Sequence, residues 1–562
     1  MPYKIMFPSP MPADGRRQLT LRELAQRARA LTDYNFPDPC QCQGQVYVNL
    51  FFDGTGNNKD WAEPGLGGTQ TDANKHSNVA RLYNARRDDL EQGYFSYYVP
   101  GIGTPFREIG DPGSDWSKAT GYRGADRINW GITRVFNAVH AYLTKFPLLD
   151  DERAKSLVIE MSRSQYLDRE VHVRRRKLKE LEAQLENVVT RHQCKLTHIH
   201  IAVFGFSRGA ALARAFAHWM LDIAQQKDGT HRLAGVPLRI SFMGLFDTVA
   251  SVGTPGGNHA WAADTMQIHP AVAQCEHFVA LHEQRAYFPL TLARNVTHVG
   301  YPGMHSDVGG GYRPGEQGRA MPAWGVSPHL SQVPLIDMHH AAFKAGVPLL
   351  SIGEIHSKHP RVKDDFAISP NLVAAVNDYY LHCGIATAAA GEAGVRAVIE
   401  AHTLQYLQWR AGCMFQAQHY SRRRFYQQAQ RNGEQGQLLA GMSAFDLSHN
   451  AARMRLAERE AALRNPRSAA SGGIDDVASY GEMLRSVERD KRVVAALANW
   501  RSLPQPVGRL MDDYVHDSLA PFLGLERPFA SNYYLGFREL QRDVPAPAKG
   551  FVEALQKTRA AS

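Results

Sequence analysis

Short apolar runs, of the kind that form buried β-strands, alternate with helix-favouring stretches through residues 44–345. Such a run, bounded by glycine, proline or aspartate, is typical of a strand that is buried on both faces. Strands that alternate with helices build a mainly parallel sheet with helices on both sides. The sequence therefore predicts a doubly wound α/β fold, with strands at residues 46–52, 95–99, 198–204, 238–246, 278–281 and 296–300.

Length and composition agree with a large globular chain. Of the 562 residues, 44% are apolar and 21% are charged, which excludes a disordered or collagen-like polypeptide. At about 150 residues per domain, three or four domains are possible. We expect an N-terminal extension at residues 1–43, a catalytic domain at 44–345 and a mostly helical module at 346–562, with helical stretches at 395–424, 451–463 and 480–500.

One long charged helix is predicted at about residues 151–192, inside the predicted catalytic domain. Residues 174–177 read RRRK, so part of it is strongly basic. Apolar residues recur in it at helical spacing, at Leu178, Leu181, Leu185 and Val188. One apolar stripe on a polar helix indicates a helical insertion that packs on the domain, and a helix facing a membrane or a partner is the alternative.

Export and redox signals are sparse. Residues 1–10 contain prolines where a secretory signal would need an apolar stretch. The sequence has no uninterrupted apolar run long enough to span a membrane.

Its six cysteines include one close pair, Cys40 and Cys42, whose spacing fits neither a zinc nor a thioredoxin site. We expect synthesis in a reducing cytoplasm, and the net charge of +9 would suit an anionic surface or serve only solubility.

The pentapeptide GFSRG at residues 205–209 follows a predicted strand and precedes a stretch of small, helix-favouring residues. This strand–turn–helix context is what a G-x-S-x-G nucleophile elbow requires, because flanking glycines let the backbone turn sharply and approach its neighbours. We predict Ser207 as the nucleophile and the backbone N–H of Arg208, at the helix N-terminus, as one oxyanion donor. A structural tight turn is the alternative.

A serine nucleophile needs a base and an acid that orients the base. In α/β-hydrolases the chain order is serine, acid, histidine, with acid and base on loops after later strands. Asp247 follows the strand at 238–246 and is the predicted acid, although a turn or helix cap would also explain it. His305, in a glycine-rich loop, is the predicted base. Asp307 is a second candidate acid that fits better as a loop stabiliser.

The loop DGTG at residues 53–56 follows the strand at 46–52. Glycine there would let the backbone approach a substrate oxygen, so we predict the N–H of Gly54 as the second oxyanion donor. The loop loosely resembles an aspartyl-phosphate motif but lacks the second acid and the downstream magnesium motif of such enzymes. Because H-E-x-x-H, paired C-x-x-C and P-loop motifs are also missing from the sequence, we expect neither a metal nor a cofactor.

Several motifs occur together in a characteristic order: FFDGTGN (51–57), YVPGIGT (98–104), GFSRGA (205–210), FDTV (246–249), LHEQR (281–285) with FPL (288–290), and HSDVGGGY (305–312). Together they resemble the α/β-hydrolase domain of the GxSxG-type lipase effectors of the bacterial type VI secretion system. The resemblance covers about residues 44–345. It implies that Ser207, Asp247 and His305 form the catalytic triad.

The same resemblance implies a phospholipase A or related esterase, acting as an antibacterial toxin on membrane phospholipids. Its partners would be a cognate immunity protein and a component of the secretion spike, and the type VI machine would deliver it without a signal peptide to the periplasm of target cells. Residues 346–562 would then include a membrane-associating module. The family-like segment YVHDS at 514–518 is interpreted as structural or close to the substrate.

Two other functions remain open from the sequence. One is a soluble carboxylesterase or a peptidase that uses the same triad. The other is a catalytically inactive module that binds membrane or protein. Nucleic-acid binding is not expected, because the arginine and lysine clusters lie on long helices without an interleaved aromatic sheet.

Overall fold

The core of the fold is a ten-stranded, mainly parallel sheet. The computed structural model describes residues 3–32, 43–62, 75–162, 169–253, 257–321, 328–464, 477–522 and 534–541. The strands are β1 (Lys4–Met6), β2 (Gln43–Phe52), β3 (Tyr94–Val99), β4 (Lys195–Phe206), β5 (Gln225–Lys227), β6 (Thr230–Leu233), β7 (Val236–Phe246), β8 (Cys275–Ala280), β9 (Leu290–Thr291), β10 (Thr297–Tyr301), β11 (Ala388–Ala390) and β12 (Leu540–Gln541). Their order in the sheet is β11-β1-β10-β8-β7-β4-β2-β3, with β5 and β6 beside β7. β9 and β12 form a separate parallel pair.

The helices of the first half of the chain surround this sheet. They are α1 (Leu21–Thr32), α2 (Lys59–Ala62), α3 (Asn78–Asn84), α4 (Asp115–Thr120), α5 (Gly124–Thr144), α6 (Asp151–Ser162), α7 (Arg169–Arg191), α8 (Arg208–Ile223) and α9 (His305–Gly309). Short 3₁₀ turns lie at Arg107–Ile109, Ala260–Ala262 and Glu316–Gly318.

The second half is mostly helical. Its helices are α10 (Gln332–Lys344), α11 (Ile352–Lys358), α12 (Pro360–Phe366), α13 (Pro370–His382), α14 (Gly391–Phe415), α15 (Ala417–Tyr420), α16 (Arg424–Arg431), α17 (Gln435–Arg464), α18 (Val477–Ala498) and α19 (Gln505–Asp513). Two 3₁₀ turns lie at Trp500–Ser502 and Ala520–Phe522. None of the helices in the described parts of the chain combines the length and the apolar character needed to cross a bilayer.

The α/β fold predicted from the apolar runs is confirmed, and a strand occurs at each predicted position. The sheet is buried on both faces because successive side chains of a strand point to opposite sides. Along β2, for example, Leu50 and Phe52 pack in one hydrophobic core, whereas Phe51 packs in the other.

The charged stretch at 151–192 contains two helices, α6 and α7, rather than the one helix expected. Leu178, Leu181 and Leu185 of α7 are buried in the core that also holds α5 and α8. The guanidinium of Arg174 lies 3.7 Å from the centre of the Trp219 ring on α8. The apolar stripe therefore packs on the domain, as the sequence pattern indicates.

Segments outside residues 44–345 contribute strands to the central sheet. β1 lies parallel to β10 and antiparallel to β11, so one sheet edge combines the N-terminal end of the described chain with strands from residues 297–301 and 388–390. Ile5 and Phe7 share their hydrophobic core with α13 and α14. The division at residues 43 and 345 stays a prediction from the sequence.

Candidate active site

Ser207 occupies a sharp turn between β4 and α8. Its backbone has φ 57° and ψ −127°, a conformation that is uncommon for a residue with a side chain and costs on the order of 1–3 kcal/mol. A Cβ on Gly209 would lie 2.2 Å from the carbonyl oxygen of Phe52, and a Cβ on Gly205 would lie 2.5 Å from the carbonyl oxygen of Gly209. The turn has the shape of the predicted nucleophile elbow, and its packing requires both glycines.

Asp247 and His305 lie at the same edge of the sheet as Ser207. β4 and β7 are parallel neighbours with Phe206 opposite Phe246, so Ser207 and Asp247 leave the sheet side by side. His305 begins α9, just after β10, and its Nδ1 lies 2.5 Å from Oδ2 of Asp247. The imidazole ring is 4.6 Å, between ring centres, from Phe206. The structure thus brings together the predicted nucleophile, acid and base.

Electrostatics favour an ionised acid and a neutral base. Asp247 is fully buried, and although burial opposes its ionisation, the charge of Arg538 and the hydrogen bonds from His305 and Arg538 lower the pKa of the carboxyl below its usual value. Burial also lowers the pKa of His305, and contact with Asp247 offsets this only in part. An unprotonated imidazole is the form that can accept a proton from a serine hydroxyl.

The two predicted oxyanion donors differ in their surroundings. The N–H of Arg208 lies in the first turn of α8, where backbone amides have no acceptor within the helix. The N–H of Gly54 donates to Oδ1 of Asp53 at 2.7 Å. Asp53 also accepts a hydrogen bond from the Tyr98 hydroxyl at 2.5 Å. Gly54 would have to release Asp53 in order to bind a substrate oxygen, and both donor assignments remain predictions.

A buried ion pair between Glu283 and Arg285, not predicted from the sequence, supports His305. Glu283 accepts the backbone N–H of His305 at 3.1 Å and pairs with Arg285 at 3.0 Å. It also accepts the hydroxyl of Ser518 at 3.1 Å. The charges of Arg285 and Arg538 and the hydrogen bond from Arg285 outweigh burial and lower the pKa of Glu283. The sequence signal for this pair was the two opposite charges, two positions apart, in the LHEQR segment.

Asp307, the second candidate acid, bonds to other groups. Its Oδ1 lies 2.6 Å from Nδ1 of His516, and its Oδ2 accepts the N–H of Met304 at 2.9 Å. The His516 ring stacks on Tyr312, with 3.8 Å between ring centres. Asp307 therefore stabilises the loop that carries His305, and the segment at 514–518 packs directly against that loop.

Aromatic side chains cover the base. Ser207 is 5% exposed and His305 is 3% exposed. Phe288 lies 5.1 Å from the His305 ring and contacts Phe522, and the guanidinium of Arg285 lies over both phenyl rings. This apolar cover is chemically suited to an acyl chain. Among the described residues, no group of His, Cys, Asp or Glu side chains is arranged to hold a metal ion.

Comparisons with known proteins point to one family. The family model described as "T6SS, Phospholipase effector Tle1-like, catalytic domain" matches residues 48–231 and 220–341. Among solved structures, the crystal structure of an uncharacterized protein from Pseudomonas aeruginosa has a TM-score of 0.75 and 25% identity, over 96% of this chain and 85% of that one. The structure of the Tle1 effector bound to the VgrG spike from the Type 6 secretion system has a TM-score of 0.26 and 22% identity, over 49% of this chain and 52% of that one. No curated protein matches the sequence.

Proposed function

The chain belongs to the type VI secretion family of phospholipase effectors with a Tle1-like catalytic domain, and from this premise we propose that it is a phospholipase A that uses Ser207, His305 and Asp247. The observation that carries the proposal is the 2.5 Å contact between His305 Nδ1 and Asp247 Oδ2, beside the strained elbow of Ser207. A buried acid that orients a neutral histidine next to a serine elbow is the arrangement of a serine esterase.

The reaction would proceed by acyl transfer in two steps. Ser207 Oγ attacks the ester carbonyl while Nε2 of His305 takes the hydroxyl proton, and Asp247 stabilises the resulting imidazolium. The backbone N–H of Arg208 and an amide of the 53–55 loop bind the oxyanion, each contributing about 3–4 kcal/mol. His305 then protonates the departing lysophospholipid. Water, activated by the same histidine, finally releases the fatty acid from Ser207.

The substrate and partners follow from the same premise. We infer that the enzyme acts on bacterial membrane phospholipids in the periplasm of target cells, after delivery by the type VI machine. A component of the secretion spike and a cognate immunity protein would be its partners, and the helical region at 346–562 would help it associate with the membrane. The reaction needs neither a metal nor a cofactor, because serine, histidine and aspartate supply its nucleophile, base and counter-charge.

Fatty-acid release from vesicles of mixed bacterial phospholipids tests the proposal. Wild type should release fatty acid, whereas Ser207→Ala should lower the rate at least about a thousandfold, because it removes the attacking oxygen. Ser357→Ala replaces an exposed serine on α11 and should match wild type. Phospholipids with different acyl chains at the two glycerol positions would show which ester is cleaved.

Each other outcome has a distinct meaning. Equal release by wild type and by a folded Ser207→Ala protein would exclude Ser207 as the nucleophile. Cleavage of soluble short-chain esters but not of vesicles would indicate a carboxylesterase. A full antibacterial effect of Ser207→Ala would instead indicate a binding module without catalysis.

A further inference from the structure

Arg538 reaches the carboxylate of Asp247 from the segment at residues 534–541. Its Nη1 donates to Oδ1 of Asp247 at 2.7 Å and its Nη2 donates to Oδ2 at 2.8 Å. The Nε–H donates to the carbonyl oxygen of Phe288 at 2.9 Å, and the side chain is fully buried. A guanidinium that binds both oxygens of a carboxylate fixes its plane as well as its charge.

These bonds leave one position on the carboxylate for the base. Oδ1 of Asp247 also accepts the backbone N–H of Ala280 at 2.8 Å, so both of its lone pairs are used. Oδ2 accepts one bond from Arg538, and its second lone pair meets Nδ1 of His305. Arg538 and Ala280 thereby prevent the carboxylate from rotating away from the imidazole.

Arg538 also balances charge in a place that water does not reach. Asp247 and Glu283 are both fully buried, and each has one arginine partner, Arg538 and Arg285 respectively. A buried carboxylate without a cation is costly and tends to take up a proton instead. Among the residues that the structure describes, the titratable and charged groups around Asp247 and His305 include Arg538, Arg285, Glu283, His277, Asp307 and His516.

The segment that carries Arg538 is anchored on both sides. After it, β12 pairs with β9, and Gln541 accepts a hydrogen bond from the Thr291 hydroxyl at 2.9 Å. Before it, the Tyr534 hydroxyl donates to Oδ2 of Asp517 at 3.1 Å. These contacts keep the guanidinium in place without involving the triad.

We propose that Arg538 is a positioning residue of the active site, which orients the Asp247 carboxylate toward His305 and supplies its counter-charge. The inference rests on the proposed serine-esterase function. The arginine lies far along the chain from Asp247 but contacts it directly, so the segment at 534–541 belongs to the active site.

Two substitutions separate the orienting role from the charge. Arg538→Lys retains a positive charge but loses the two-point contact, whereas Arg538→Gln loses the charge as well. Arg176→Gln is the matched control, because it removes an arginine that is 66% exposed on α7 and pairs with Glu180 of the same helix. We would measure kcat/KM on a soluble short-chain aryl ester across pH, and the rate at which a fluorophosphonate probe labels Ser207.

At neutral pH we expect both arginine variants to lose about 10- to 100-fold in kcat/KM and in labelling rate, because a small misplacement of a catalytic group has an effect of this size. In Arg538→Gln the acid limb of the pH profile should also move to higher pH, because loss of the cation raises the pKa of both Asp247 and His305. In Arg538→Lys that limb should stay close to wild type. Arg176→Gln should resemble wild type in both measurements.

Wild-type rates and pH profiles in both arginine variants would overturn the inference. If Arg538→Gln does not fold, Arg538→Lys is tested in an Asp247→Asn background. There the loss of kcat/KM caused by Arg538→Lys should shrink to less than about threefold, because the effects of contacting residues are not additive. A full loss in that background would overturn the positioning role. Failure of the proposed function is distinct, since wild type would then not be labelled at Ser207.

Discussion

A methyl group added at Gly209 would force the nucleophile elbow away from the neighbouring loop. The new Cβ would lie 2.2 Å from the carbonyl oxygen of Phe52 and 2.4 Å from that of Asp53, whereas ordinary contact begins at 3.4 Å. The backbone must therefore move by about 1 Å, because no side-chain rotation relieves a clash between backbone atoms. Overpacking of this kind costs about 1–3 kcal/mol and occasionally more, and we expect Gly209→Ala to lie at the upper end.

The same displacement should reduce activity. Gly209 lies two residues from Ser207 and against the backbone of Asp53, and a shift of 1 Å can lower a rate about a hundredfold. Urea unfolding followed by circular dichroism would give the change in stability, and ester hydrolysis at saturating substrate would give kcat. Gly481→Ala is the control: it lies within α18, where the nearest atom, Nη1 of Arg485, is 3.6 Å away. That change should stabilise the protein by about 0.5–1 kcal/mol and leave kcat unchanged.

A Gly209→Ala protein with a free energy of unfolding within about 0.5 kcal/mol of wild type and an unchanged kcat would refute the reasoning. It would mean that the elbow and the loop are not in the close contact on which the predicted oxyanion site depends.

The pH dependence of kcat/KM should reflect the ionisation of His305, because burial lowers its pKa and only the neutral imidazole accepts a proton. Activity should therefore persist at pH values near the usual histidine pKa of about 6.5 and fall at lower pH. An acid limb centred above that value would contradict this. Leu185→Ala should destabilise the protein by about 2–5 kcal/mol in urea unfolding, because the side chain is fully buried. Arg176→Ala is the control on the same helix, because this side chain is 66% exposed, and it should change the free energy of unfolding by less than about 0.5 kcal/mol. Equal losses of stability in the two variants would show that the apolar stripe is not part of the core.

Local sequence patterns were sufficient to predict the central strands and the turn at Ser207. Each central strand is a continuous apolar run, which periodicity detects, and the GFSRG turn lies where a strand meets a helix, so sequence and structure agree at Ser207. The pairing of Asp247 with His305 was predictable because carboxyl ends of parallel strands meet at one edge. Asp307 lies only two residues from His305, which favoured a loop-stabilising role for it and Asp247 as the acid.

Features that depend on distant contacts were not predictable. β1 and β11 are three residues long and have no apolar alternation of their own, so they are strands only because β1 pairs with β10 and β11 pairs with β1. The stretch at 395–424, expected to be one helix, breaks at Gln416, whose ψ of 40° is not helical. Arg538 is one arginine among many in the sequence, and its role becomes visible only where the fold places it against Asp247.

The contact between Asp247 and Arg538 also affects when the protein can become active. The two residues are 291 positions apart, and Lys4 of β1 likewise pairs with Thr297 and Ala390. Contacts of such long range form late, because the intervening chain must first be ordered. During translation the ribosome would therefore expose a Ser207 turn long before its acid has a counter-ion or the sheet has its outer strands. We therefore expect the nascent polypeptide to reach full hydrolytic activity only after Arg538 has been synthesised and has bound Asp247.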